Sequence, residues 1–315
     1  MVASTSPSAP LITVFGSTGI QGGSVIDHLI SSPKPYRIRA VTRDPTKASS
    51  KKLQEMGCEV VKAEINNKDE VEQAVKGSEI VFAVTNFWEH GAAAELQQGK
   101  NIIAAVKANL STVKTFIWSG IEHVSKVSGG KYTKVEHFDT KGELTELARS
   151  EGLPVINVSA AMYMENSLGM MAPRKQEDGS FVVAFPINPS TKLHLIHTRR
   201  DYGAYVVGAL ESGKVKVGDG EVLACAEEIT AEDLAKQWGE VNNVKCAFYQ
   251  VPVEQFQAQA GDDLTQMFQW FQDFGYYGGK DTKLSQEVLS PNAKVQKWKE
   301  FVKESDWTKV LNGSG

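Results

Sequence analysis

The stretch Leu11-Ile12-Thr13-Val14-Phe15-Gly16-Ser17-Thr18-Gly19-Ile20-Gln21-Gly22-Gly23 constrains this chain more than any other. Residues 11–15 are apolar or β-branched and read as a buried parallel strand. A glycine turn follows at once. Ser24 to Ile30 then places Val25, Ile26, Leu29 and Ile30 at helical spacing. Strand, glycine turn and helix together form a phosphate site. Gly16 permits the tight turn, Gly19 lets backbone approach a pyrophosphate, and Gly22 lets the helix pack on the strand. Ser17, Thr18, Ile20 and Gln21 fill the turn between them. The free N–H groups at the helix start face the anion. The spacing is G-x-x-G-x-x-G, not the commoner G-x-G-x-x-G, so the units that follow carry part of the argument.

Those units alternate. Tyr36 to Thr42, Cys58 to Lys62, Ser78 to Val84, Val113 to Ser119 and Pro154 to Ser159 read as further strands. Helical segments are expected over Lys47–Met56, Asp69–Val75, Glu89–Leu110 and Lys134–Ser150. This rhythm predicts an α/β fold with a doubly wound parallel sheet of Rossmann type. Right-handed crossovers place helices on both faces. After Ala160 the rhythm breaks into shorter strands and helices, and Asp262 to Tyr277 is rich in aromatic residues that read as core or interface. The expected organisation is a flexible tail over 1–10, a dinucleotide domain over 11–160, and a smaller C-terminal α/β lobe over 161–315. A return segment near 192–212 is expected to pack on the sheet.

A length of 315 residues accommodates one large α/β domain with an appended lobe. A formal net charge of -4, with no long basic run, argues against a nucleic-acid surface. No stretch has the length and apolarity of a membrane span. Cys58, Cys225 and Cys246 lie far apart and read as buried apolar residues in a reducing compartment, so the cytoplasm is the expected location.

At the tip of the second strand, where an adenosine ribose is met, stand Thr42 and Arg43 and no acidic residue. An arginine fork suits a 2′-phosphate, which favours NADP(H) over NAD(H). Glu64 and Ile65, after the third strand, are expected near the adenine. Thr85 and Asn86, after the fourth, are expected beside the cofactor groove.

Four segments resemble the NmrA-like family, atypical members of the short-chain dehydrogenase/reductase group. They are Gly16 to Gly22, Val84-Thr85-Asn86-Phe87-Trp88-Glu89, Phe116 to Ile121, and His137-Phe138-Asp139-Thr140-Lys141-Gly142-Glu143. The likeness runs from about Leu11 into the 300s. It implies NADP(H) binding by a Rossmann fold with a small C-terminal lobe. Some members of that family look like dinucleotide-sensing regulators acting through protein partners, and others like working oxidoreductases of fungal biosynthesis.

Typical short-chain dehydrogenases carry Ser, Tyr and Lys, the last two as Tyr-x-x-x-Lys on one helix face. Lys141 fits the lysine position, where it meets the nicotinamide ribose. His137 stands where the tyrosine is expected, and Ser119 falls where the family serine lies. Tyr163, Met164 and Asn166 follow the sixth strand, in a loop expected to line the nicotinamide pocket. His137, Tyr163 and Ser119 therefore compete as proton donor, with Tyr163 expected to matter more than His137. His194, His197, Arg199 and Arg200 cluster further on. The two histidines lack a third ligand and make no metal site, and one or two of the four groups are expected to reach the substrate cleft. The reading is an NADP(H)-dependent oxidoreductase acting on a small-molecule substrate. A silent NADP(H) sensor, working through a protein partner or a homodimer, is the alternative.

Overall fold

The computed structural model describes residues 1–313. Alternation in the first half produces β1 (Leu11–Val14), α1 (Ile20–Ser31), β2 (Arg37–Thr42), α2 (Ala48–Glu55), β3 (Glu59–Lys62), α3 (Lys68–Val75) and β4 (Ile80–Ala83). Then follow α4 (Phe87–Ala108), β5 (Thr115–Trp118), α5 (Val124–Val127), α6 (Glu136–Ser150) and β6 (Val155–Ala160). The second half adds β7 (Met162–Tyr163), β8 (Arg174–Lys175), β9 (Phe181–Phe185), β10 (Lys192–Ile196), α7 (Thr198–Glu211) and β11 (Gly220–Ala224). It continues with β12 (Glu227–Thr230), α8 (Ala231–Asn242), β13 (Cys246–Gln250) and α9 (Val253–Phe274).

The main sheet has seven parallel strands in the order β11-β6-β5-β4-β1-β2-β3. This is the doubly wound Rossmann arrangement. The chain leaves β1 in opposite directions, toward β2 and toward β4, and so opens a crevice at the carboxyl ends of the strands. Strand β1 is buried throughout, and its one polar side chain is satisfied, with Thr13 Oγ1 2.6 Å from Ser78 Oγ.

Three expectations shift. Residues 1–10, read as a flexible tail, are docked at two points: the Ala3 N–H donates to Met56 O at 2.8 Å and the Ser4 N–H to Tyr36 O at 2.9 Å, with Ala3 buried. The seventh strand of the main sheet, β11, lies beyond residue 160. Of the return segment, only α7 packs on the main sheet, where Tyr202 donates to Val158 O at 2.8 Å and Gly203 closes against Ser24 of α1. Strand β10 instead pairs with β12 and β7 in a separate three-stranded sheet. Apolar periodicity sees each burying face, not which sheet buries it.

The expected helix from Glu89 is two pieces, since Gly91 has φ 76° and ψ 179°. Its first turn, Phe87 to His90, is thereby set apart and borders the crevice. Helix α9 breaks in the same way at Gly261, φ 79°. Its aromatic residues are core: Phe268 stacks on Phe185 with centroids 4.4 Å apart. Beyond it, Tyr276 donates to Ala160 O at 3.0 Å, which ties the C-terminal part to the end of β6. Cys58 and Cys225 are buried and Cys246 half-buried; burial pushes the Cys58 thiol up to about 11 and the other two to about 12. Among the described residues no helix is long and apolar enough to cross a membrane.

Candidate active site

Two adjoining cavities occupy the crevice. The first is a polar groove over the glycine turn. Gly16, Thr18, Gly19, Ile20 and Gln21 form one wall, and Arg43, Glu64, Ile65, Thr85, Asn86 and Tyr163 also line it. Gly16 adopts φ 69°, and a Cβ there would sit 2.7 Å from Val84 Cγ1. A Cβ on Gly22 would sit 2.2 Å from Gly16 O, so helix and turn touch backbone to backbone. Gly22 therefore shapes the groove without lining it. Ser17 does not line it either: its hydroxyl is buried and donates to Val41 O at 2.6 Å, which joins the turn to β2. The start of α1 carries no acidic residue and no side-chain cap, so its N–H groups are left facing the groove.

The second cavity is apolar, with walls from Phe87, Trp88, Phe138, Met162, Met171 and Phe271. Ser119, His137, Lys141, Tyr163 and Asn166 are among its polar groups. Asn166, like Lys141, borders this cavity and not the groove. Ile20, Gln21, Val84, Thr85, Asn86 and Tyr163 line both cavities, so the two are continuous. Gln21 Nε2 donates to the Tyr163 hydroxyl at 2.6 Å, while Gln21 Oε1 is buried without a partner. Burial pushes the Tyr163 phenol up to about 12, so it is a neutral hydroxyl at ordinary pH.

Lys141 points from α6 to the seam between the cavities. Its ammonium pairs with Glu95 and lies 3.3 Å from Thr85 O. Burial pushes its pKa down, and the Glu95 carboxylate opposes that push. His137, one turn earlier, has Nδ1 against Asp263 and its ring 4.9 Å from the Trp88 ring. Arg43 reaches the groove rim and pairs with Glu89; that hydrogen bond holds the Glu89 carboxyl below its ordinary range.

The other cluster is not part of this site. His194 faces Glu228 at 3.1 Å, His197 pairs with Gln296, Arg199 with Asp27 at 2.6 Å, and Arg200 with Glu304 at 3.6 Å. None of the four lines either cavity; each is held by the partner just named. Met164 likewise turns into the core and borders a separate small void. Sequence reasoning missed Glu95 and Asp263, and gave Glu89, quoted only within its segment, no role of its own. Each is an acidic residue in a helical stretch, with no local signal to separate it from a solvated one.

Among curated relatives, the NmrA-like family domain-containing oxidoreductase ptmS of Penicillium ochrochloron is 32% identical over 165 residues, 50% of this chain and 48% of its own length. The match thus spans about half of that relative. An NmrA-like family domain-containing protein of Dictyostelium discoideum is 25% identical over 313 residues, 94% of this chain and 98% of its own. Among solved structures, NmrA, a negative transcriptional regulator in complex with NADP, has the same fold, with a TM-score of 0.76 at 19% identity over 94% of this chain and 95% of that one. A family model described as the NmrA-like family matches residues 8–302, and the chain belongs to that family.

Proposed function

We infer that this protein is an NADP(H)-dependent oxidoreductase acting on a small, largely apolar organic molecule, in a tailoring step of biosynthesis. The observation that carries the reading is the continuity of the two cavities through Gln21, Thr85 and Tyr163. A groove shaped for a dinucleotide opens directly into an aromatic pocket with polar groups at the seam. The residues fit the cofactor. Gly22 leaves no room for a side chain between helix and turn, and Gln21 Oε1 is a buried acceptor still lacking a donor. The α1 N-terminus, Thr18 and Gly19 hold the pyrophosphate. Arg43 takes the 2′-phosphate in place of Glu89. Lys141 hydrogen-bonds the nicotinamide ribose. When bound, the nicotinamide supplies two-electron hydride chemistry. Tyr163, Ser119 and His137 supply hydrogen-bonding groups toward the substrate heteroatom, and the aromatic walls exclude water. Spectrophotometry at the reduced nicotinamide band with a panel of carbonyl, imine and amine compounds tests this. Turnover of one class, lowered by Lys141→Ala, supports it.

The second reading is a silent NADP(H) sensor acting through partners. Two observations favour it: His137 replaces the usual tyrosine, and the charge of Lys141 is taken up by Glu95. Tight NADP(H) binding with no turnover across the whole panel decides for the sensor.

A further inference from the structure

We propose that Glu95 is a positioning residue that converts Lys141 into a charge-neutral hydrogen-bonding anchor for the ribose at the seam of the two cavities. This rests on the NADP(H) reading above.

Glu95 lies in α4 and is fully buried, an unusual place for a carboxylate. Both of its oxygens are bonded. Oε1 accepts from Thr85 Oγ1 at 2.8 Å and from the Lys141 ammonium, and Oε2 accepts from Thr140 Oγ1. Two elements converge on it: the loop after β4 brings Thr85, and α6 brings the adjacent Thr140 and Lys141. Helix α6 alone cannot aim Lys141. Its side chain crosses to α4 and is drawn along the groove wall, with Nζ 3.3 Å from Thr85 O and 3.4 Å from Thr85 Oγ1. An ammonium has three donors. Glu95 and Thr85 hold it from one side, and Lys141 also borders the substrate pocket.

The chemical consequence follows from charge. In the Tyr-x-x-x-Lys arrangement, the lysine charge favours the ionised tyrosine one turn away. Here no tyrosine stands at that position, and a buried carboxylate cancels the charge. Lys141 therefore keeps its hydrogen-bonding role and loses its electrostatic one. A buried ion pair of this kind fixes geometry more than it adds stability.

The test compares wild type, Glu95→Gln and the double variant Glu95→Gln/Lys141→Met. All three keep the shape of the site, and circular dichroism verifies that each is folded. Calorimetry is run with two probes: NADP⁺, which reaches Lys141, and adenosine 2′,5′-bisphosphate, which fills only the adenosine end. Glu95→Gln is expected to weaken NADP⁺ about tenfold, the size of one charge-assisted hydrogen bond. The double variant should lose no more than that, because Glu95 acts through Lys141. The bisphosphate should bind all three within about twofold. Wild-type affinity for NADP⁺ in Glu95→Gln, or a further large loss in the double variant, overturns the proposal and leaves the cofactor reading standing. A wild type that binds neither probe overturns both.

Discussion

His137 and Asp263 are 126 residues apart in the chain and meet at the wall of the substrate pocket, the imidazole Nδ1 against one carboxylate oxygen. The other oxygen accepts the Glu136 N–H at 2.9 Å and the His137 N–H at 3.4 Å. Helix α6 has no capping side chain of its own at Val135, so Asp263 caps it from α9. Gln266, one turn on, accepts the Thr133 and Lys134 N–H groups at 2.9 and 3.0 Å. One face of α9 thus clamps the start of the helix that carries both His137 and Lys141.

Asp263→Ala removes this cap and the carboxylate that faces His137 Nδ1. It is expected to destabilise the fold by about 1–3 kcal/mol, with Asp263→Asn losing less because its amide oxygen still accepts. Urea denaturation at neutral pH checks the order. Equal stability of Asp263→Ala and wild type sinks the capping role.

Arg43 is the expected source of preference for NADP(H). Arg43→Ala should bring NADP(H) and NAD(H) to similar affinity, a loss of about 1–3 kcal/mol for the phosphate-bearing form. Glu89→Gln removes the competitor for the guanidinium and should tighten NADP(H) while leaving NAD(H) unchanged. Calorimetry with both dinucleotides measures this. Equal binding of the two by wild type ends the idea.

Two neighbouring glycines should behave in opposite ways. A Cβ on Gly22 meets Gly16 O at 2.2 Å, and that oxygen belongs to backbone. Gly22→Ala is expected to cost about 1–3 kcal/mol and to abolish dinucleotide binding. A Cβ on Gly23 comes only within 3.4 Å of the Arg199 side chain. Gly23→Ala should be neutral or stabilising by up to about 1 kcal/mol, from helix propensity. Melting curves with and without NADP⁺ separate the two cases.

Tyr163→Phe is expected to lower turnover more than His137→Ala, since the phenol sits at the seam and donates from both cavities' shared wall. Its raised pKa also has a sign. Burial favours the neutral phenol, so the folded state holds that proton more tightly than the unfolded chain. The stability it contributes is complete below about pH 10, the ordinary tyrosine value, and is lost as pH rises through about 12. Denaturation between pH 9 and 12 should show a shallower decline in Tyr163→Phe than in wild type. Identical slopes would falsify the assignment.

Much of this protein is written in short-range pattern. The glycine spacing from Gly16 to Gly22, the alternation of apolar strands and amphipathic helices, and Arg43 at a strand tip were all legible in the sequence. Each depends on residues within a few turns of one another. Those patterns determined the parallel sheet and the groove, and they set Lys141, His137 and Tyr163 at the crevice. Tertiary structure decided the charges around them. Lys141 meets Glu95 from 46 residues away, His137 meets Asp263, and His194 to Arg200 are turned out of the crevice. An acidic side chain carries no periodicity that marks it as buried. Its role is set only when folding removes water from around it and leaves one opposite charge within reach.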